Sequence, residues 1–253
     1  MIQLKNAQEL AKMRRACQIS AEALKLGGRS IEAGMTTADL DKIIYDYIKR
    51  HGARPNFKGL YGFPGTACIS INDEVIHGIP SHSRQIRPGD IVSIDTGAAI
   101  NGFNGDNACT FPCGKVDIEA QRLMDVTKES LHRGIAAAVA GNRVGDIGHA
   151  VQSYVEENGF SVVRSFVGHG VGKELHEDPE VPKYGHAGHG VRLVTGMTIA
   201  IEPMVNQKHH SVKTLSDGWT VVTADGGLAA HFEHSIAILP GGPEILTIGW
   251  EEP

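Results

Sequence analysis

Long apolar runs are missing from this chain. No stretch approaches the roughly 18–20 residues that a bilayer-crossing helix needs, so a membrane span is not expected. The opening segment MIQLKNAQELAKMRR reads as an amphipathic helix and lacks the apolar core and small-residue cleavage site of a secretory signal. A basic excess is missing too. The formal net charge is -5, which leaves no footprint for nucleic acid or an anionic membrane as the main partner. Cysteine is scarce: Cys17, Cys68, Cys109 and Cys113 show no C-x-x-C spacing. They read as reduced thiols of a cytoplasmic protein, with Cys109 and Cys113 structural.

What is present is ordinary in bulk and unusual in pattern. A hydrophobic content of 41% and a charged content of 21% suit a soluble globular chain with a sizeable core. The 13 histidines are more than usual, so some are candidate ligands. The His209-His210 pair in KHHSVK reads as part of a solvated loop.

The chain repeats itself. AGMTTADLDKIIYDYIKRHGA (residues 33–53) aligns without gaps to AGNRVGDIGHAVQSYVEENGF (residues 140–160), an offset of 107. Each copy has a polar start, apolar residues at i, i+4 and i+8, and a glycine past the end, which is a helix pattern. A further helix precedes each. One starts at Asn6 with Glu9 in capping-box relation and stops at Gly27-Gly28. The other spans roughly residues 117–140. The same offset recurs in GDIVSID (residues 89–95) and GMTIAIE (residues 196–202). These matches predict one α+β domain over residues 1–253. Its two αα-then-β halves, roughly 1–110 and 111–253, would set their equivalent strands side by side, with Asp95 and Glu202 facing a common centre. In both strands one face is apolar (Val92, Ile94; Met197, Ile199, Ile201) and suits packing under helices.

VSIDTGAAINGFNGDNACTF reads as two strands joined at Asn101-Gly102, a strong hairpin signal. A two-residue loop there puts Asp106 opposite Gly97, so Asp95 and Asp106 become diagonal neighbours about 7–8 Å apart at Cα. AAHFEHSIAIL (residues 229–239) carries Glu233 into another strand, and FVGHGVG sets His169 between glycines, where a ligand can approach the backbone. Singly, such acids read as turn or solvent-facing residues. Together, Asp95, Asp106, His169, Glu202 and Glu233 make a candidate dinuclear site. Four carboxylates balance two divalent cations, and one imidazole among them suits Mn²⁺, Fe²⁺, Co²⁺ or Zn²⁺.

HGIP at His77, GDIVSID with GFNGD, GHGVGKELHE at His169 and His176, IEPMV at Glu202, and the segment around Trp219 and Glu233 resemble type I methionine aminopeptidases over essentially the whole chain. The resemblance implies the pita-bread fold, an antiparallel sheet covered by helices around a central dinuclear metal site. It implies removal of initiator methionine from nascent proteins and peptides, preferentially before a small second residue, by attack of a metal-bridging hydroxide. By matched position, Asp95 would chelate one ion, Asp106 and Glu233 would bridge both, and His169 and Glu202 would complete the second. His77 and His176 would contact substrate, with His176 steadying the oxyanion. Glu202 would move the proton. Phe57, Leu60, Phe63, Cys68, Leu175 and Trp219 would line the methionine pocket. Leu60 and Phe63 depart from the commonest bacterial pattern, which leaves the pocket apolar but changes its shape. A monomer is expected, with nascent chains as partners and any ribosome contact made by the catalytic domain's own surface. The nearest rivals are the X-Pro aminopeptidases and prolidases, which share the five ligands and generally carry a further N-terminal domain.

Overall fold

The computed structural model describes residues 1–250. Helix α1 (Ala7–Arg29) begins as its sequence predicts. The Asn6 side chain accepts the N–H groups of Gln8 and Glu9, and the Glu9 carboxylate accepts the Asn6 N–H. Its end is later than expected: Gly27 and Gly28 lie inside the helix. A Cβ on Gly28 would stand 2.3 Å from the Phe111 ring, and one on Gly27 would stand 3.0 Å from Ile44. The two glycines bring the helix close to its neighbours and do not stop it.

Helices α2 (Thr37–Arg50) and α4 (Val144–Glu157) are displaced from each other by 107 residues at both ends. Their starts share one bond, an aspartate accepting the N–H of the residue three before it, while the Thr36 side-chain cap has no counterpart at Arg143. Asp39 accepts the Thr36 N–H at 3.1 Å, and Asp146 accepts the Arg143 N–H at 2.7 Å. The bridges Thr36–Gln85 and Arg143–Arg192 carry the same displacement. Helix α3 (Ile118–Ala137) is capped by Asp117.

Among the described residues the main sheet has nine strands, and every pairing in it is antiparallel. Its path runs Arg54–Pro55, Ile91–Ile100, Phe103–Pro112, Glu233–Leu239, Thr198–Ile201, Gly168–Gly170, Glu177–Val181. Ala67–Ile71 also pairs with Ile91–Ile100, and Gly242–Ile245 with Glu233–Leu239. The described residues also form two three-stranded sheets. The equivalent strands Ile91–Ile100 and Thr198–Ile201 are not side by side, contrary to expectation. Phe103–Pro112 and Glu233–Leu239 lie between them, because each half contributes a second strand to the centre.

Helix α1 packs on Ile91–Ile100 and Phe103–Pro112, and α3 packs on α4 and the strands of the second half. Ile94 and Ile201 reach the helices from the apolar strand faces, within 3.4 Å of where Cβ atoms on Gly27 and Gly134 would be. The opposite faces are left for the site. The four cysteines are free and buried, and no helix among the described residues is long and apolar enough to cross a membrane.

Candidate metal centre and substrate cavity

The hairpin turns at Asn101 and Gly102 with φ of 55° and 78°, the two left-handed positions of a type I′ turn. Pairing runs without a bulge from Ile100–Phe103 to Ile91–Pro112, so Gly97 faces Asp106 and Asp95 faces Ala108. On its other side Ala108 pairs with Glu233. Residues paired across a ladder share a face. Asp95, Ala108 and Glu233 therefore form a row across three strands, with Asp106 two residues along the middle one. Glu202 directly follows the Thr198–Ile201 strand, whose Ile201 pairs with His234.

His169 comes from the short Gly168–Gly170 strand. The flanking glycines have a different purpose from the one expected. A Cβ on Gly168 would lie 2.4 Å from the Ala200 carbonyl oxygen, and one on Gly170 would lie 2.2 Å from that of Asp178. They admit neighbouring strands, not a ligand. His169 Nδ1 is 2.8 Å from the Gly170 carbonyl oxygen. Donation there leaves Nε2 with its lone pair, the tautomer a metal ligand needs. Nε2 lies 3.7 Å from Asp106 Oδ2 and 3.8 Å from Glu202 Oε1. One atom each of Asp106, His169 and Glu233 lie within 4.8 Å of one another.

The donor chemistry fits divalent cations. Asp95 Oδ1, Asp106 Oδ1 and Glu233 Oε1 are buried without a hydrogen-bond partner among the described residues. Buried carboxylates in that state are costly unless a cation meets them. Burial, then mutual repulsion among the acids, holds Asp95, Asp106 and Glu233 well above the usual carboxylate range. Burial also pushes Glu202 up to about 7, opposed by Lys183.

A cavity of about 740 Å³ opens over these acids. At one end Phe57, Phe63, Cys68 and Leu175 form a buried apolar cluster, with Leu60, Ile79 and Trp219 packed against it. All six expected pocket residues are thus brought together. Cys68 reaches the pocket because it pairs directly with Asp95. His77 has a φ of 59°, a strained backbone for a residue other than glycine. Its ring stands edge-on to Phe166 and Trp219, with centroids 5.5 and 6.1 Å away. His176 stands edge-on to His169 at 4.5 Å. The turn carrying it is anchored by a buried ion pair between Lys5 and Glu177. Burial lowers all three imidazoles, His77 and His169 to about 4, so they are neutral at pH 7.

Sequence reasoning missed several residues here. Tyr61, Ile76, Phe166 and Met204 also line the cavity. Lys183 is buried, donates to the Phe166 carbonyl, and is lowered by burial to about 8. His231 lines the cavity beside Glu202. Its signal was available, since alternation in AAHFEHSIAIL sets residue 231 on the face of residue 233.

A helix-backed antiparallel sheet with buried acids and an imidazole under an apolar pocket defines a metal-centred hydrolase. The chain belongs to metallopeptidase family M24, which it matches over residues 11–240. It is 55% identical to the methionine aminopeptidase of Clostridium perfringens, over 98% of this chain and 99% of that protein. It is 51% identical to methionine aminopeptidase 1 of Bacillus subtilis, over the same shares. The crystal structure of methionine aminopeptidase from Thermotoga maritima superposes with a TM-score of 0.96 at 44% identity, covering 98% of this chain and 99% of that one. The pita-bread fold and dependence on divalent metal follow for this chain.

Proposed function

We propose that this protein is a methionyl aminopeptidase that releases the N-terminal methionine of nascent proteins and peptides, preferentially when the second residue is small. The observation that carries the reading is continuity: the apolar pocket and the carboxylate cluster line one cavity. An unbranched thioether suits a pocket walled by Phe57, Leu60, Phe63, Cys68, Leu175 and Trp219. The relatives' names agree with it.

Asp95, Asp106, His169, Glu202 and Glu233 would hold two divalent ions. When bound, these lower the pKa of water toward neutrality and polarise the scissile carbonyl. The protein's own groups do the rest. Glu202 takes the proton of the attacking water and passes it to the leaving amine. His176 donates to the oxygen on which negative charge develops, and His77 orients the substrate backbone. Asp95 faces the free α-ammonium, which restricts cleavage to the chain terminus. We place the activity in the cytoplasm, in a monomeric single domain, with any ribosome contact made by the domain's own surface.

The test is hydrolysis of Met-Ala-Ser, an Xaa-Pro peptide and an Ala-initiated peptide by manganese- or cobalt-loaded protein. Cleavage of Met-Ala-Ser alone is expected. Cleavage of Xaa-Pro in its place would assign a prolidase-type activity.

A further inference from the structure

His231 is the one cavity histidine that this reaction leaves without a task. It ends the Ala229–His231 strand, and its backbone is held firmly. Its N–H donates to Thr110 Oγ1 and its carbonyl accepts the Thr110 hydroxyl, both at 2.9 Å. The ring is buried, and its Nε2 has no hydrogen-bond partner among the described residues. That nitrogen lies 3.8 Å from Glu202 Oε2, while His169 Nε2 lies 3.8 Å from Glu202 Oε1. The Glu202 carboxylate is therefore bracketed by two imidazoles.

The two sides of the bracket differ. His169 belongs to the group it forms with Asp106 and Glu233, so Oε1 faces the cation-holding cluster. Oε2 faces His231, whose buried Nε2 is the atom that lacks a partner and is costly in that state. A carboxylate with one oxygen engaged by metal takes its orientation from what the other oxygen meets. Lys183 is the nearby buried cation, and its ammonium is engaged with the Phe166 carbonyl. His231 offers a nitrogen at the right side. A separation of 3.8 Å is too long for a hydrogen bond, but the terminal torsion of a glutamate is broad, so a small rotation closes it.

We propose that His231 is a positioning residue, donating Nε2–H to Glu202 Oε2 and fixing the plane of the carboxylate that moves the proton. This rests on the assignment of Glu202 as proton acceptor. The metal ligands do not include His231, so its loss leaves the ions in place and misaligns the acceptor.

The experiment compares His231→Leu and His231→Gln in manganese-loaded protein, with steady-state kinetics on Met-Ala-Ser and elemental analysis. Visible spectra of the cobalt-loaded forms are recorded alongside. His231→Leu should lower kcat about 10- to 100-fold, with KM nearly unchanged and full metal content, and should alter the cobalt spectrum. His231→Gln keeps a donor of similar reach and should restore both rate and spectrum. Should the leucine form not fold, His231→Asn, with an amide one methylene shorter, takes its place and should show the same loss. A leucine form with wild-type kcat, or equal impairment by glutamine, overturns the proposal. Glu202→Gln is the control: full activity in that variant removes the acceptor and with it the task given to His231.

Discussion

Asp95 and Glu233 stand on either side of Ala108, each paired with it from a neighbouring strand. The smallest chiral side chain thus occupies the sheet position between two acids. Ala108→Leu should fill that floor, weaken manganese binding at least about 10-fold and cost about 1–3 kcal/mol by overpacking. Isothermal titration and far-UV circular dichroism would separate lost metal from lost fold.

Glu202→Gln should reduce turnover by at least about 100-fold, the usual worth of a general acid–base group. The amide still offers one oxygen to the cluster, so elemental analysis should find metal retained. A near-native rate would rule out this assignment.

The metal-free protein should have an inverted response to pH. A carboxylate raised in the folded state contributes stability below its unfolded pKa and loses it as pH rises through its folded value. Glu202 lies at about 7, and Asp95, Asp106 and Glu233 are also raised. The lowered histidines act in the opposite sense, but only below about pH 6.5, where the unfolded imidazole takes up its proton. From pH 6.5 to about 7.5 the acids decide, because Lys183, lowered to about 8, opposes them only as pH nears that value. Tm of the metal-free form should fall over that window, and added Mn²⁺ or Co²⁺ should abolish the fall.

Lys5→Met should destabilise the fold by about 3–5 kcal/mol, because Glu177 loses its cation in a buried position and keeps only the Glu174 N–H. Glu177 directly follows His176 in the chain, so kcat/KM should drop as well. Denaturant unfolding and kinetics on the same preparation check both.

The hairpin register was legible because a two-residue turn and strict alternation fix parity: Asn101-Gly102 alone sets Asp106 opposite Gly97. The duplication was legible because α2 and α4 keep the same length and the same aspartate, Asp39 and Asp146, three residues past Thr36 and Arg143. Strand order was not, since the pairing of Asp106's strand with Glu233's joins segments over a hundred residues apart. Gly27 and Gly28 misled because a helix stop and a close helix approach use the same residue. Lys183 carries no periodic signal at all, and its burial emerges only from the packed structure.

Acids from both halves are assigned here to hold cations beneath the apolar pocket. Crystals soaked in cobalt, measured on both sides of the cobalt absorption edge, test that assignment most directly. Anomalous peaks are predicted among Asp95, Asp106, His169, Glu202 and Glu233. A map with no peak there, from crystals whose protein cleaves Met-Ala-Ser, would contradict it.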